Sequence, residues 1–193
     1  QSSLGALFLI MPHRVHDLWY SAWIPVMFFI SAIGAGLLAL IVEGFIAQRL
    51  LGCGLRLELL QRLGKIASFV LLLYLGLRLA DLTLRGVLPA AIDGSWQSML
   101  FLGEVGLGGI LPIVLLLIPQ VRAKPAGLLS AALLGAAGIV SQRMSLSLFT
   151  MWRPETAPYT PSGIEILIAF AIPAAAGLIY VLFTENLAVL EQE

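Results

Sequence analysis

Five stretches of this 193-residue chain are each long and apolar enough to cross a membrane, and that feature limits the fold more than any other. They run roughly 24–46, 66–88, 97–118, 126–149 and 163–186. A helix rises about 1.5 Å per residue, so about 20 apolar residues cross the hydrocarbon core of a bilayer. Backbone polar groups in lipid must be satisfied within the segment, which makes each stretch a helix. Only 11% of residues are charged against 60% hydrophobic, whereas a soluble domain carries about 25% charged residues to hold its water shell. The expected fold is all-α: a polytopic transmembrane helix bundle with about five spanning helices, one transmembrane domain over 1–193, and no soluble catalytic domain of its own. Residues 1–11 read as the tail of an earlier helix, closed by Pro12. The start, Gln1-Ser2-Ser3, has neither Met nor a basic region leading into an apolar run. It does not read as a signal peptide, and it points to a piece of a longer chain.

Small residues recur within the spans, at Gly34 and Gly36, at Gly103, Gly106, Gly108 and Gly109, and at Gly135 and Gly138. In lipid they let helix backbones approach closely, so they read first as packing devices. Pro112 and Pro173 fall inside spans and are expected to kink them. The loops alternate in charge. Loop 47–65 holds Arg49, Arg56, Arg62 and Lys65, and loop 119–125 holds Arg122 and Lys124, while 12–23, 89–96 and 150–162 hold only Arg14 and Arg153. The excess of basic residues in cytoplasmic loops then places 47–65, 119–125 and the acidic tail Glu191-Gln192-Glu193 inside. Trp19, Trp96, Trp152 and Tyr159 face outward as an interfacial aromatic belt.

Charges inside the spans are the candidate site, because an ionisable group in lipid costs about 2.5–3.5 kcal/mol on insertion scales and faces a bundle interior. Arg78 and Asp81 share a face of the second span, Glu104 lies in the third, and Gln142 and Arg143 lie in the fourth. Glu43, Glu165 and Glu185 sit nearer span ends. Counted along each helix, Asp81, Glu104 and Arg143 fall about 9–10 Å from the outer ends. Charges from three helices at one level point to one polar pocket or ion-pair network: either Arg78–Asp81 and Arg143–Glu104 neutralise each other and fix packing, or the layer is a pocket for a polar head group or a proton path.

Other chemistry is thinly represented. Eleven basic residues balance eleven acidic ones, so nothing pulls the chain toward nucleic acid. Cys53 is the sole cysteine, which excludes an internal disulfide and an iron–sulfur cluster held by this chain. His13 and His16 lie in an outer loop and no span carries a histidine, so the expectation is no haem and no metal. No phosphate-binding loop or nucleophile elbow is present.

Taken in order, several short segments resemble the NrfD/polysulfide-reductase membrane subunit family, most closely the membrane subunit of periplasm-facing nickel–iron hydrogenases. The segments are Gln1-Ser2-Ser3-Leu4-Gly5, Leu18-Trp19, Pro25-Val-Met-Phe-Phe-Ile-Ser31, Gly36 and Glu43, then Tyr74, Arg78, Asp81-Leu82 and Arg85-Gly86. Glu104 with Pro112, Gln142-Arg143, and Tyr159-Thr-Pro161-Ser162 followed by Glu165 continue it. Gln142 stands where the family often has Asn, which keeps the amide. The resemblance implies the C-terminal half of a longer bundle in a bacterial cytoplasmic (inner) membrane. It implies a non-haem subunit exchanging electrons between membrane quinone (menaquinone or ubiquinone) and a periplasmic iron–sulfur subunit, itself joined to a catalytic subunit.

Under that reading Asp81, Glu104 and Arg143 are the catalytic candidates, and Arg78, Asp81, Glu104, Gln142 and Arg143 the quinone-binding ones. Arg143 or Arg78 would polarise a quinone carbonyl, and Asp81 or Glu104 would pass protons. His13, His16 and Tyr159 would lie where the partner docks. Three rivals remain: half of a secondary transporter, although no internal repeat is evident; a purely structural membrane anchor; and a haem-dependent cytochrome, disfavoured by the lack of span histidines.

Overall fold

The structure, a computed structural model, describes residues 2–10, 15–51, 56–149 and 162–186, and among them there are helices and turns but no strand. The chain divides into two units, Gln1–Met151 and Trp152–Glu193. The first unit contains α1 (Ser2–Leu9), α2 (Ile24–Leu51), α3 (Leu57–Leu84), α4 (Trp96–Gly103), α5 (Leu111–Leu117), the single turn α6 (Pro119–Arg122) and α7 (Pro125–Met144). The second contains α8 (Gly163–Asn186). Five segments are long and apolar enough to cross a membrane: Ile24–Leu50, Leu57–Leu84, Trp96–Leu117, Pro125–Ser147 and Gly163–Phe183.

The second span departs from the expected 66–88 at both ends, with a cause at each. It begins at Leu57, because Glu58, Gln61, Arg62 and Lys65 are good helix formers that continue the helix beyond the apolar stretch. Hydropathy marks where lipid begins, not where the helix begins. The basic residues assigned to a loop at 47–65 therefore sit largely on helices, Arg49 in the last turn of α2 and Arg62 and Lys65 on α3. The helix stops at Leu84 because Gly86 takes a left-handed backbone, φ 68°. The Gly86 N–H then bonds the Thr83 carbonyl and the Val87 N–H bonds the Leu82 carbonyl, closing the last turn as only glycine does without strain.

The third span is a composite. Ser95 caps α4 by accepting a hydrogen bond from the Ser98 N–H at 3.2 Å. Before α5 the chain widens into a π segment, Glu104–Ile110. Pro112 supplies the reason: it has no N–H, and its ring crowds the carbonyl four residues back. The wider turn, with the Leu111 N–H reaching back to the Gly106 carbonyl, accommodates it. The expected disturbance at Pro112 is thus a change of helix type N-terminal to the proline. In the fourth span a second π segment, Ser145–Phe149, continues α7.

The core of the first unit lies between α2, α3, α5 and α7, filled by Leu38, Ile41, Ala67, Leu71, Leu116, Leu128, Ala131 and Ala132. Glycine sets the closest approach. A Cβ built on Gly108 of the π segment would lie 2.6 Å from Gly138 Cα on α7, so the two backbones touch. Residues 15–23 bury Val15, Leu18 and Trp19. In the second unit α8 runs through Pro173 without interruption. Ser162 and Glu165 cap it reciprocally: the Ser162 N–H donates to Glu165 Oε2 at 2.8 Å and the Glu165 N–H to Ser162 Oγ at 3.3 Å. The acid that opens the fifth span thus caps its helix.

Candidate functional site

Glu104 is the centre of the polar interior. The first residue of the π segment, it turns its carboxylate toward α3, with 2% of the side chain exposed. Its Oε2 lies 3.6 Å from Arg78 Nη2 and accepts a hydrogen bond from Trp19 Nε1 at 3.1 Å. Arg78 is held from three sides. Its Nη1 donates to Tyr74 Oη at 3.4 Å, the Phe101 ring faces its guanidinium at 4.7 Å, and Glu104 supplies the opposite charge. Trp19 in turn stacks edge-on against Phe101, with centroids 5.8 Å apart. A buried ion pair holds only when its remaining polar atoms are satisfied by neighbours. Here the coverage is incomplete: Arg78 Nη2 and Glu104 Oε1 are buried without a hydrogen-bond partner.

The pairing differs from the sequence expectation, and helix geometry explains why. Asp81 pairs with Arg85, not Arg78: Arg85 Nε lies 2.8 Å from Asp81 Oδ2, one turn on along α3. With α3 ending at Leu84, Asp81 lies in its last turn, and Arg85 Nη1 also holds the Asp17 carbonyl at 3.0 Å. Arg143 does not pair with Glu104. It faces α2, where Nη2 donates to Ser31 Oγ and to the Phe28 carbonyl at 3.4 Å. The Phe28 ring stacks 3.2 Å from its guanidinium carbon, and Nη1 is buried without a hydrogen-bond partner.

Two small crevices link these groups, each of about 20 Å³, room for a water molecule. The first is bordered by Trp19, Ser21, Arg78, Asp81, Arg85 and Gln142, and the second by Tyr74, Arg78, Glu104, Gly108, Gly138 and Gln142. Arg78 and Gln142 border both. On the other side of the Gly108–Gly138 contact, an open apolar groove of about 370 Å³ runs between α4 and α7. Met99, Gly103, Leu107, Leu134 and Ala137 line it, and Glu104 lies at its wall.

Of the sequence-derived candidates, Arg78, Asp81, Glu104 and Gln142 therefore border two neighbouring crevices that share Arg78 and Gln142, while Arg143 turns to α2. His16 Nδ1 accepts a hydrogen bond from the Leu18 N–H at 3.3 Å, and its ring meets Trp19 edge-on at 5.7 Å, so the side chain braces its own loop. His13 and Tyr159 lie outside the described residues, as do Trp152 and Cys53. Trp19, expected in the interfacial belt, is only 6% exposed and serves instead as a hydrogen-bond donor to Glu104. Trp96 at the start of α4 is half exposed, as a belt residue would be. Sequence reading missed Trp19, Phe101, Phe28 and Ser31 as partners of the charges. An aromatic N–H beside a buried acid is a recognisable chemistry, but nothing in the order of residues joins positions 85 or 112 apart.

This polar interior, with its buried ion pair, falls within residues 4–150, which match the family model described as polysulphide reductase, NrfD. The chain belongs to the NrfD family. It is 35% identical over 202 aligned residues to a protein of Nitratidesulfovibrio vulgaris, covering 98% of this chain and 51% of that one. It is 28% identical to the probable Ni/Fe-hydrogenase 2 b-type cytochrome subunit of Escherichia coli K12, covering 98% of this chain and 49% of that one. It is 24% identical to the menaquinone reductase integral membrane subunit of N. vulgaris, covering 100% and 51%. The chain thus spans about half the length of these relatives. No solved structure matches it. This NrfD-family chain is an integral membrane protein, and relatives of it are membrane subunits of oxidoreductases.

Proposed function

We propose that this NrfD-family chain is part of a quinone-reactive subunit, exchanging electrons between a membrane quinone and a redox centre in an iron–sulfur partner outside the membrane. The observation that carries the reading is the set of buried, unpartnered polar atoms around Glu104: one acceptor, Glu104 Oε1, with a donor on Arg78 Nη2. A quinone presents carbonyl acceptors and a hydroquinone presents hydroxyl donors, so the two atoms suit both redox forms. The groove between α4 and α7 is the apolar approach for a molecule carried in lipid, and Glu104 borders it. The printed name of the menaquinone reductase relative supports the same substrate class.

On this reading, quinone bound at the site supplies the two-electron chemistry. Arg78, held by Tyr74, Phe101 and Glu104, donates toward a carbonyl oxygen and stabilises the negative charge that accompanies reduction. Glu104 carries the proton, with Oε2 anchored by Trp19 and Arg78 and Oε1 free to give or take it. Arg143 is held apart by Ser31 and Phe28 and fixes α7 against α2. The setting is a bacterial inner membrane, with the Trp19 loop on the periplasmic side.

The test is Glu104→Gln in the assembled complex. It keeps the size and an acceptor for Trp19 but removes the exchangeable proton. Quinone-linked turnover should fall at least about 100-fold, within the range general acid–base catalysis supplies, while reduction of a soluble dye by the partner subunits stays intact. Quinone-linked turnover at the wild-type rate would remove Glu104 from the reaction and the reading with it.

A further inference from the structure

Exposure decreases steeply through the polar interior. The Arg85 side chain is 26% exposed and Asp81 11%, but Glu104 only 2%. Between the exposed end and the buried end lie the two water-sized crevices, the first touching Asp81, the second touching Glu104, and both touching Arg78 and Gln142. The titratable groups facing the first are Tyr20, Arg78, Asp81 and Arg85, and those facing the second are Tyr74, Arg78 and Glu104. Buried polar atoms without protein partners are where ordered waters sit, given a polar site of about 10–15 Å³ or more. Arg78 Nη2 and Glu104 Oε1 are such atoms.

We propose that Asp81 is the proton port of this site, relaying protons to Glu104 through one water in each crevice, with Arg78 and Gln142 orienting the two waters where the crevices meet. The proposal rests on the quinone reading and adds a route to it. Asp81 takes a proton from bulk water at the end of α3 and passes it to the first water. That water passes a proton to the second, and the second protonates Glu104 Oε1. Glu104 delivers it to a quinone oxygen as electrons arrive from the partner's redox centre. Two electrons and two protons convert one quinone to one hydroquinone, and the reverse sequence serves oxidation. Arg78 keeps its proton throughout and acts by charge and hydrogen bonding. Asp81 can remain paired with Arg85 because the pair uses Oδ2 and leaves Oδ1 for the exchange.

The route predicts a defect in rate without a defect in binding. In the complete, assembled complex, Asp81→Asn should lower quinone-linked kcat at least about tenfold at neutral to alkaline pH and leave KM for quinone unchanged. Millimolar formic or acetic acid, small enough to carry protons into the crevice, should restore most of that rate, and Asp81→Glu should retain it. Wild-type kcat in Asp81→Asn overturns the route, and so does a loss that neither weak acid nor the Glu variant restores, since that is the mark of a structural role. Where Asp81→Asn lowers the yield of complex, Gln142→Leu takes its place. It removes an amide from both crevices without opening an ion pair, and should lower kcat and raise the solvent isotope effect. An unchanged kcat there overturns the route as well. The two readings fail separately: an active Glu104→Gln removes the quinone site, whereas an inactive Glu104→Gln with a fully active Asp81→Asn removes only the route.

Discussion

Two arginines in the next-to-last and last turns of their helices meet burial in opposite ways. Arg78, where α3 meets the π segment, has a carboxylate from that segment, a tyrosine hydroxyl and an aromatic face. Arg143, at the α2–α7 contact, has a serine hydroxyl, a backbone carbonyl and an aromatic face; none of the ion pairs among the described residues includes it. The first arrangement joins an acid and a base, so removing one member strands the other in a dry interior. The second spreads a single charge over neutral dipoles and a ring. Charge pairing leaves an acid and a base facing each other in a dry interior, while solvation by neutral groups leaves a lone cation braced between two helices.

The Gly108–Gly138 contact holds the π segment against α7 and so frames the site, and breaking it should have the largest effect. Gly138→Leu places a side chain into the Gly108 backbone, which has no flexible end to move aside. The cost expected is about 3 kcal/mol or more, read as loss of assembled complex on size-exclusion chromatography; a normal yield would contradict the contact. Next come the arginine neighbourhoods themselves. Glu104→Ala leaves Arg78 buried without its counter-charge and should cost about 3–5 kcal/mol. Arg143→Met removes a charge that has no acid to strand, so about 1 kcal/mol or less is expected. Thermal unfolding of the two variants in one detergent checks the difference, and equal losses would erase the distinction drawn between them. The smallest effect belongs to Ser31→Ala. It takes one neutral partner from Arg143 and leaves the Phe28 carbonyl and ring, for about 0.5–1 kcal/mol with quinone-linked turnover unchanged.

Particular residues show what could be read in advance. Two ion pairs were expected, Arg78–Asp81 and Arg143–Glu104; the structure has Arg78–Glu104 and Asp81–Arg85 instead, and Arg143 is in neither. Arg78 and Asp81 share a face of α3, and spacing alone favoured that pair. The i,i+4 spacing of Asp81 and Arg85 decided otherwise, pairing those two at the end of α3 and leaving Arg78 for Glu104. Trp19 looked like a membrane-interface residue because tryptophan often is one, yet it is buried and spends its N–H on Glu104. Pro112 announced a disturbance in the third span, but not that the helix would widen ahead of it and begin that widening at Glu104.

The sequence by itself determined the all-helical class, the five apolar spans and the identity of the costly charges, because lipid penalises unsatisfied backbone and unpaired charge wherever they occur along a chain. The family membership was legible too, in the order of its short motifs. Only the tertiary structure decided which acid meets which base, which aromatic rings cover them and which polar atoms are left open. Those outcomes depend on helix rotation and on backbone contacts such as Gly108 with Gly138, and rotation is set by packing between segments far apart in the chain, not by the residues along any one of them.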